Sequence, residues 1–150
     1  MKLLCDHMLG SLARWLRFMG YDTAYPEAVG DRELLMIARA EDRVLLTRDK
    51  ELAARAPGAI RIRSDVLEEQ VREVAASLPL RLVDPLSRCS LCNTPLVAAT
   101  PEEVQDLVPE DVRAKHAEFW RCPGCGKAYW RGTHWDKMIE RLNRLDLSKA

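Results

Sequence analysis

Across the first half of the chain, short apolar runs alternate with segments whose apolar residues recur at helical spacing. Lys2-Leu-Leu-Cys5 is an apolar run that stops at Asp6 and reads as a buried strand. From Met8 to Met19, Leu9, Leu12, Ala13, Leu16 and Met19 mark one face of a helix, and Gly20 supplies its stop signal. Tyr21–Tyr25 reads as a second strand. A second helix is expected from Gly30-Asp31 to Ala40, with Asp31 as its N-cap and Leu34, Leu35, Ile37 and Ala38 turned inward. Arg43–Thr47 and Ala59–Arg63 read as strands, Asp49–Ala56 as a short helix and Asp65–Leu78 as a longer one. Strands alternating with helices predict an α/β fold, a parallel sheet with helices on both faces.

Beyond Pro79 and Pro85, which bracket a short strand-like run, the pattern changes. A boundary near residue 86 divides the chain into expected domains 1–85 and 86–150. Thr100-Pro-Glu-Glu and Pro109-Glu-Asp both resemble helix starts and predict a helical insertion over 101–119. Ala128–Arg131 is strand-like, and a last helix should begin at Thr133 or Asp136 and run to Leu145. No internal repeat or low-complexity tract is evident.

Composition narrows the class. With 150 residues, 47% hydrophobic and 31% charged, disordered and collagen-like chains are excluded and a packed core is affordable. No apolar run approaches the roughly 20 residues that span a bilayer, and the opening residues lack a signal-peptide core. A soluble, cytoplasmic protein without membrane contact is expected. The 23 basic and 23 acidic residues cancel, which at first argues against a nucleic-acid binder. The layout alters that reading: Val112–Leu145 carries eight basic and three acidic residues, a net of +5, interleaved with Trp120, Tyr129, Trp130 and Trp135. Such cations can neutralise phosphates and exposed aromatics can stack on unpaired bases. Trp120 and Trp130 suit a small core, whereas Arg131, His134 and Trp135, at a strand-to-helix turn, are candidates for substrate contact.

Three aspartates share a kind of position. Asp6 follows the first strand, Asp31 opens a helix and Asp49 follows the third strand. Ligands of parallel α/β sheets bind beyond the carboxyl ends of the strands, so these carboxylates should meet at one rim. Hard oxygen ligands there suit Mg²⁺ or Mn²⁺, although each aspartate alone also suits an ordinary cap. Glu33 is a candidate accessory ligand or a first-turn charge. Arg14, Arg17 and Arg48 either hold substrate phosphates or solvate the surface. Cys5, alone in an apolar run, reads as inert core, and His7 as a surface residue.

The other four cysteines form two Cys-x-x-Cys pairs, Cys89/Cys92 and Cys122/Cys125. Duplicated pairs predict one tetrahedral four-thiolate zinc site, closed and structural, in a domain too small to stabilise itself by burial alone.

The motifs Asp6-His-Met-Leu-Gly-Ser-Leu-Ala-Arg-Trp-Leu-Arg17, Gly20-Tyr-Asp22, Asp31-Arg-Glu-Leu-Leu35, Val44-Leu-Leu-Thr-Arg-Asp49 and Tyr129-Trp-Arg-Gly-Thr-His-Trp135 resemble the Mut-seven C-terminal ribonuclease family, over about residues 2–146. That resemblance implies a PIN-like nuclease fold with an appended zinc ribbon, and a metal-dependent endoribonuclease acting on single-stranded RNA. It assigns Asp6, Asp31 and Asp49 as the acids; a further helix-borne glutamate, offered between the first two only by Glu27, is either replaced by Glu33 or absent. An RNA-binding adaptor that keeps the fold without turnover is the alternative.

Overall fold

The computed structural model describes residues 1–82 and 84–147. Four strands, β1 (Lys2–Cys5), β2 (Asp22–Ala24), β3 (Val44–Thr47) and β4 (Ile60–Arg61), form a parallel sheet in the order β2-β1-β3-β4. Helices α1 (Gly10–Phe18), α2 (Asp31–Ala40), α3 (Lys50–Arg55) and α4 (Leu67–Ser77) connect and follow them. Successive strand residues face opposite sides of a sheet, and the two apolar faces here are kept apart. Leu3, Cys5 and Leu46 pack with α1 and α4, whereas Leu4 and Leu45 pack with Leu34 of α2 and Leu52 of α3. The register pairs like with like: Leu4 lies opposite Leu45 and Cys5 opposite Leu46. The result is the α/β sandwich that the alternating pattern predicts.

Local signals explain the helix ends. Gly20, at φ 106°, follows α1; its amide bonds the Arg17 carbonyl and the Tyr21 amide bonds that of Leu16, a Schellman closure. One cap differs from expectation. Gly30, not Asp31, is the N-cap of α2, because its carbonyl already accepts from the Leu34 amide at 3.1 Å. Asp31 and Glu33 instead place negative charge in the first turn, where the helix dipole favours it.

The second half forms a three-stranded antiparallel sheet, β5 (Val97–Ala99), β6 (Phe119–Arg121) and β7 (Ala128–Tyr129), in the order β5-β6-β7. The expected helical insertion is mostly turns. Thr100 and Glu103 bond each other reciprocally as in a capping box, yet only α5 (Glu110–Lys115) is α-helical. Pro109 brings no amide to continue a helix, and the segment has only Val104, Val108 and a half-buried Val112 to pack around Phe119. The strand-like run between Pro79 and Pro85 includes position 83, outside the described residues, as are positions 148–150; its described residues form no strand.

The last helix, α6 (Thr133–Leu145), lies beyond residue 86 in sequence but packs elsewhere. Leu142 and Leu145 belong to the same cluster as α1 and α4, with Trp135, Met138 and Ile139 against it. Arg141 stacks over the Trp15 ring at 4.5 Å and pairs with Glu68. The core of the first segment is completed by the end of the second.

Polar contacts hold the rest. Asn93, in the first cysteine loop, accepts from the Thr23 amide at 3.0 Å and donates to Asp22 at 2.7 Å, so that loop covers the open edge of β2. Arg17 was a candidate phosphate ligand; it is buried, and its guanidinium donates to the carbonyls of Thr23 (2.8 Å), Ser90 and Leu91 (both 3.1 Å). A cation on the inner face of α1 clamps the loop to the sheet, its Nε and Nη1 both taken up by carbonyls. Replacing it with Met leaves three carbonyls without their donor, and urea unfolding should register a loss of about 3 kcal/mol.

Candidate functional site

In the strand order β2-β1-β3-β4 the chain leaves β1 toward one edge and β3 toward the other, so the crevice between their carboxyl ends is the topological switch point. Asp6 and Thr47-Arg48-Asp49 stand there. Asp6 is buried. Its Oδ1 accepts from the His7 amide at 2.7 Å and lies 2.9 Å from His7 Nδ1, while Oδ2 accepts from the Thr47 hydroxyl at 2.8 Å. The same hydroxyl accepts from the Asp49 amide at 3.0 Å, so Thr47 joins the two acids. Burial pushes the Asp6 carboxyl up, but the bonds from Thr47 and His7 and the charge of His7 hold it below its ordinary value.

Asp49 caps α3, its Oδ1 accepting from the amides of Glu51 (2.9 Å) and Leu52 (3.2 Å). Its Oδ2 makes no bond among the described residues. Asp31 and Glu33 are exposed on the first turn of α2, which starts after the carboxyl end of β2 and therefore on the same side. Among the described residues, the four cysteines are the one group of three or more potential ligands gathered around a common point; the three aspartates are not so gathered.

The sulfurs of Cys89, Cys92, Cys122 and Cys125 all lie within 4.8 Å of one another, with Cys89–Cys125 at 3.6 Å and Cys92–Cys122 at 3.3 Å. Tetrahedral zinc thiolate has sulfurs about 3.8 Å apart, so the cluster fits that ion. The two loops share one construction. The Cys89 amide bonds the Thr94 carbonyl and the Asn93 amide bonds the Cys89 carbonyl; Cys122, Lys127 and Gly126 repeat this. The fifth residue of each loop is left-handed, Asn93 at φ 71° and Gly126 at φ 82°, a conformation these residue types tolerate. Desolvation raises the Cys92 thiol, but hydrogen bonding to Thr94 and the neighbouring sulfurs brings it down to about 6, the direction that favours a metal-binding thiolate. Cys5 is buried and its thiol is pushed up to about 12, a state in which it stays protonated and inert.

The sequence profile of the Mut7-C RNAse domain matches residues 1–142, spanning both the acidic rim and the cysteine cluster. The chain belongs to the Mut7-C RNAse domain family. No curated protein and no solved structure matches it.

Within this Mut7-C chain the other sequence candidates divide. Arg14 is exposed on α1, and Arg48 donates to the Arg63 carbonyl at 3.2 Å beside the rim. Arg131 lies over the rings of Trp120 (5.6 Å) and Trp135 (5.4 Å), and His134 is exposed on the first turn of α6. Sequence reasoning missed Thr47, Asn93 and the Asp22–Arg43–Arg88 cluster. Arg43 pairs with Asp22 at 2.9 Å, and Arg88 approaches the same carboxylate at 3.9 Å while donating to the Asn93 carbonyl. Thr47 left a signal, a hydroxyl at the carboxyl end of an otherwise apolar strand. Asn93 left another, at the loop position where its counterpart is glycine.

A carboxyl whose folded pKa is lowered stabilises the fold above its unfolded value of about 3.9, and that contribution disappears as the pH falls through the folded pKa. Thr47→Val removes one lowering bond, so NMR titration of the Asp6 carboxyl should give a midpoint above the wild-type one. Elemental analysis should find about one zinc per chain. Removing it with a chelator should lower the melting temperature and speed hydrogen exchange at the Thr23 amide, since Asn93 holds that amide from the cysteine loop.

Proposed function

We propose that this chain is a metal-dependent endoribonuclease of single-stranded RNA, with Asp6, Asp31 and Asp49 holding Mg²⁺ or Mn²⁺ and Glu33 assisting. One observation carries the reading: in a chain of a ribonuclease family, Asp6 and Asp49 flank the β1/β3 crevice and share the Thr47 hydroxyl. Their donor set is hard carboxylate oxygen, as these cations require, and Asp49 Oδ2 has no competing donor among the described residues. A bound cation there supplies an activated water and neutralises charge on the phosphoryl group. The residues of the chain do the rest. Thr47 fixes the orientation of the Asp6 carboxylate, the hydrogen bonds on Asp6 keep it ionised, and the α3 cap fixes Asp49. Arg14 and Arg48 are the cations placed to meet substrate phosphates, and Arg131, His134 and Trp135 hold the strand on the ribbon. Five cysteines without a disulfide suit a reducing compartment, and we place the protein in the cytoplasm.

Two observations favour a second reading, a non-catalytic RNA-binding adaptor: both Asp6 oxygens already accept from protein donors, and the three acids are not gathered. A labelled single-stranded RNA separates the two. Cleavage should require Mn²⁺ or Mg²⁺, vanish in Asp6→Asn combined with Asp49→Asn, and fall about 10- to 100-fold in Thr47→Val, the range for losing an orienting partner of a metal ligand. Tight binding with no cleavage under any divalent cation selects the adaptor, and undiminished cleavage by the double variant removes the assigned site.

A further inference from the structure

A cavity of about 430 Å³ lies where β7, the first turn of α6 and the end of α1 meet. It is away from the acids. α1 runs back from the carboxyl ends of the strands, so Phe18, in its last turn, lines the cavity from the amino-end side. α6 runs the opposite way: Trp135 lines the cavity, and Arg141, further along, pairs with Glu68 in the first turn of α4, which follows the carboxyl end of β4. A helix of 13 residues is about 20 Å long, so α6 connects this cavity to the rim side of the molecule.

We infer that this cavity seats one unpaired base of the RNA strand whose cleavage at the rim is proposed above, with that nucleotide's phosphate at the first turn of α6. The inference rests on the ribonuclease reading only for the identity of the strand. Three independent features support it. The volume falls in the range of small-ligand sites, and the walls include Tyr129, Trp130 and Trp135, flat rings on which a base of any identity stacks. Trp135, one of those rings, carries a buried Nε1 with no acceptor among the described residues, a donor the protein itself leaves unsatisfied. The N-cap of α6 is Gly132, which offers no side-chain oxygen, so the amides of Thr133, His134 and Trp135 lack a capping acceptor and favour an anion. Lys127 lines the same cavity and Arg131 sits over the Trp135 ring, both positive and both exposed. Apolar rings inside with cations and free amides beside them match a nucleotide, whose base is flat and apolar on its faces and whose phosphate is charged. An apolar protein segment docked there would leave the cations and amides unanswered.

The test uses the zinc-loaded full chain without Mg²⁺ or Mn²⁺, so that nothing is cleaved. The indole N–H resonance of Trp135, assigned by its loss in Trp135→Phe, is followed while a short single-stranded RNA is added. It should shift saturably with the RNA, and much less with inorganic phosphate or with an abasic strand of equal length. Trp135→Ala should weaken RNA binding about tenfold, the effect of losing one base–aromatic stack. Trp135→Phe, which keeps the ring and loses the donor, should weaken it about threefold. An unmoved indole resonance overturns the inference, as does an abasic strand that binds as tightly as the RNA. A shift that follows protein concentration without RNA also overturns it, and assigns the cavity to a second copy of the chain. The readout does not depend on turnover: a chain that cleaves nothing and still shows the RNA-dependent shift loses the ribonuclease reading and keeps the base site.

Discussion

The closure of the β2 edge by the first cysteine loop is the contact on which the rest of the molecule depends. An edge strand leaves amides and carbonyls without partners, and here both groups of Thr23 are answered from outside the sheet. Asn93 accepts from its amide, and Arg17 donates to its carbonyl while also binding Ser90 and Leu91. Arg17 is buried, so those three acceptors are what make its burial tolerable. Because the loop is shaped around Cys89 and Cys92, any ion that holds the four sulfurs also holds the edge of the sheet. Metal affinity and sheet stability are therefore linked quantities.

The rim follows from the register of the inner strands. Pairing Cys5 with Leu46 places the next residues, Asp6 and Thr47, side by side at the carboxyl ends. A slip of one residue would turn Thr47 to the α1–α4 face and separate it from Asp6. The two apolar faces prevent that slip, since Leu45 and Leu46 are each buried on their own side. Core packing, which has no chemistry of its own, thus sets the distance across which Thr47 links Asp6 to Asp49.

The two halves divide the work by charge. Residues 1–85 hold 13 basic and 14 acidic groups, with Asp6 and Asp49 at the β1/β3 crevice; the stretch from Val112 to Leu145 carries +5. A neutral chain thus carries an acidic rim on its sheet and a basic stretch in its ribbon. α6 joins them physically, with its first turn at the ribbon and its buried leucines in the α1–α4 core. That shared helix ties the ribbon to the core beside the sheet.

Short-range physics decided much of this from the chain alone. The period of Leu9, Leu12 and Leu16, the stop at Gly20, the cap at Asp49 and the two Cys-x-x-Cys loops depend on neighbours a few residues away. The family motifs likewise lie in contiguous stretches. What sequence could not show depends on residues far apart in the chain. Arg17 has the same local surroundings whether it faces phosphate or carbonyl; only the arrival of Ser90 and Leu91, more than 70 residues later, decides which. The helical insertion around residue 101 has its capping box, yet it lacks the apolar face that tertiary packing would need to extend it. α6 was legible as a helix and not as a part of the first core, because periodicity states that a face will be buried but not against what. Short-range order is written in adjacent residues, and the meeting of distant ones is settled only when the whole core closes.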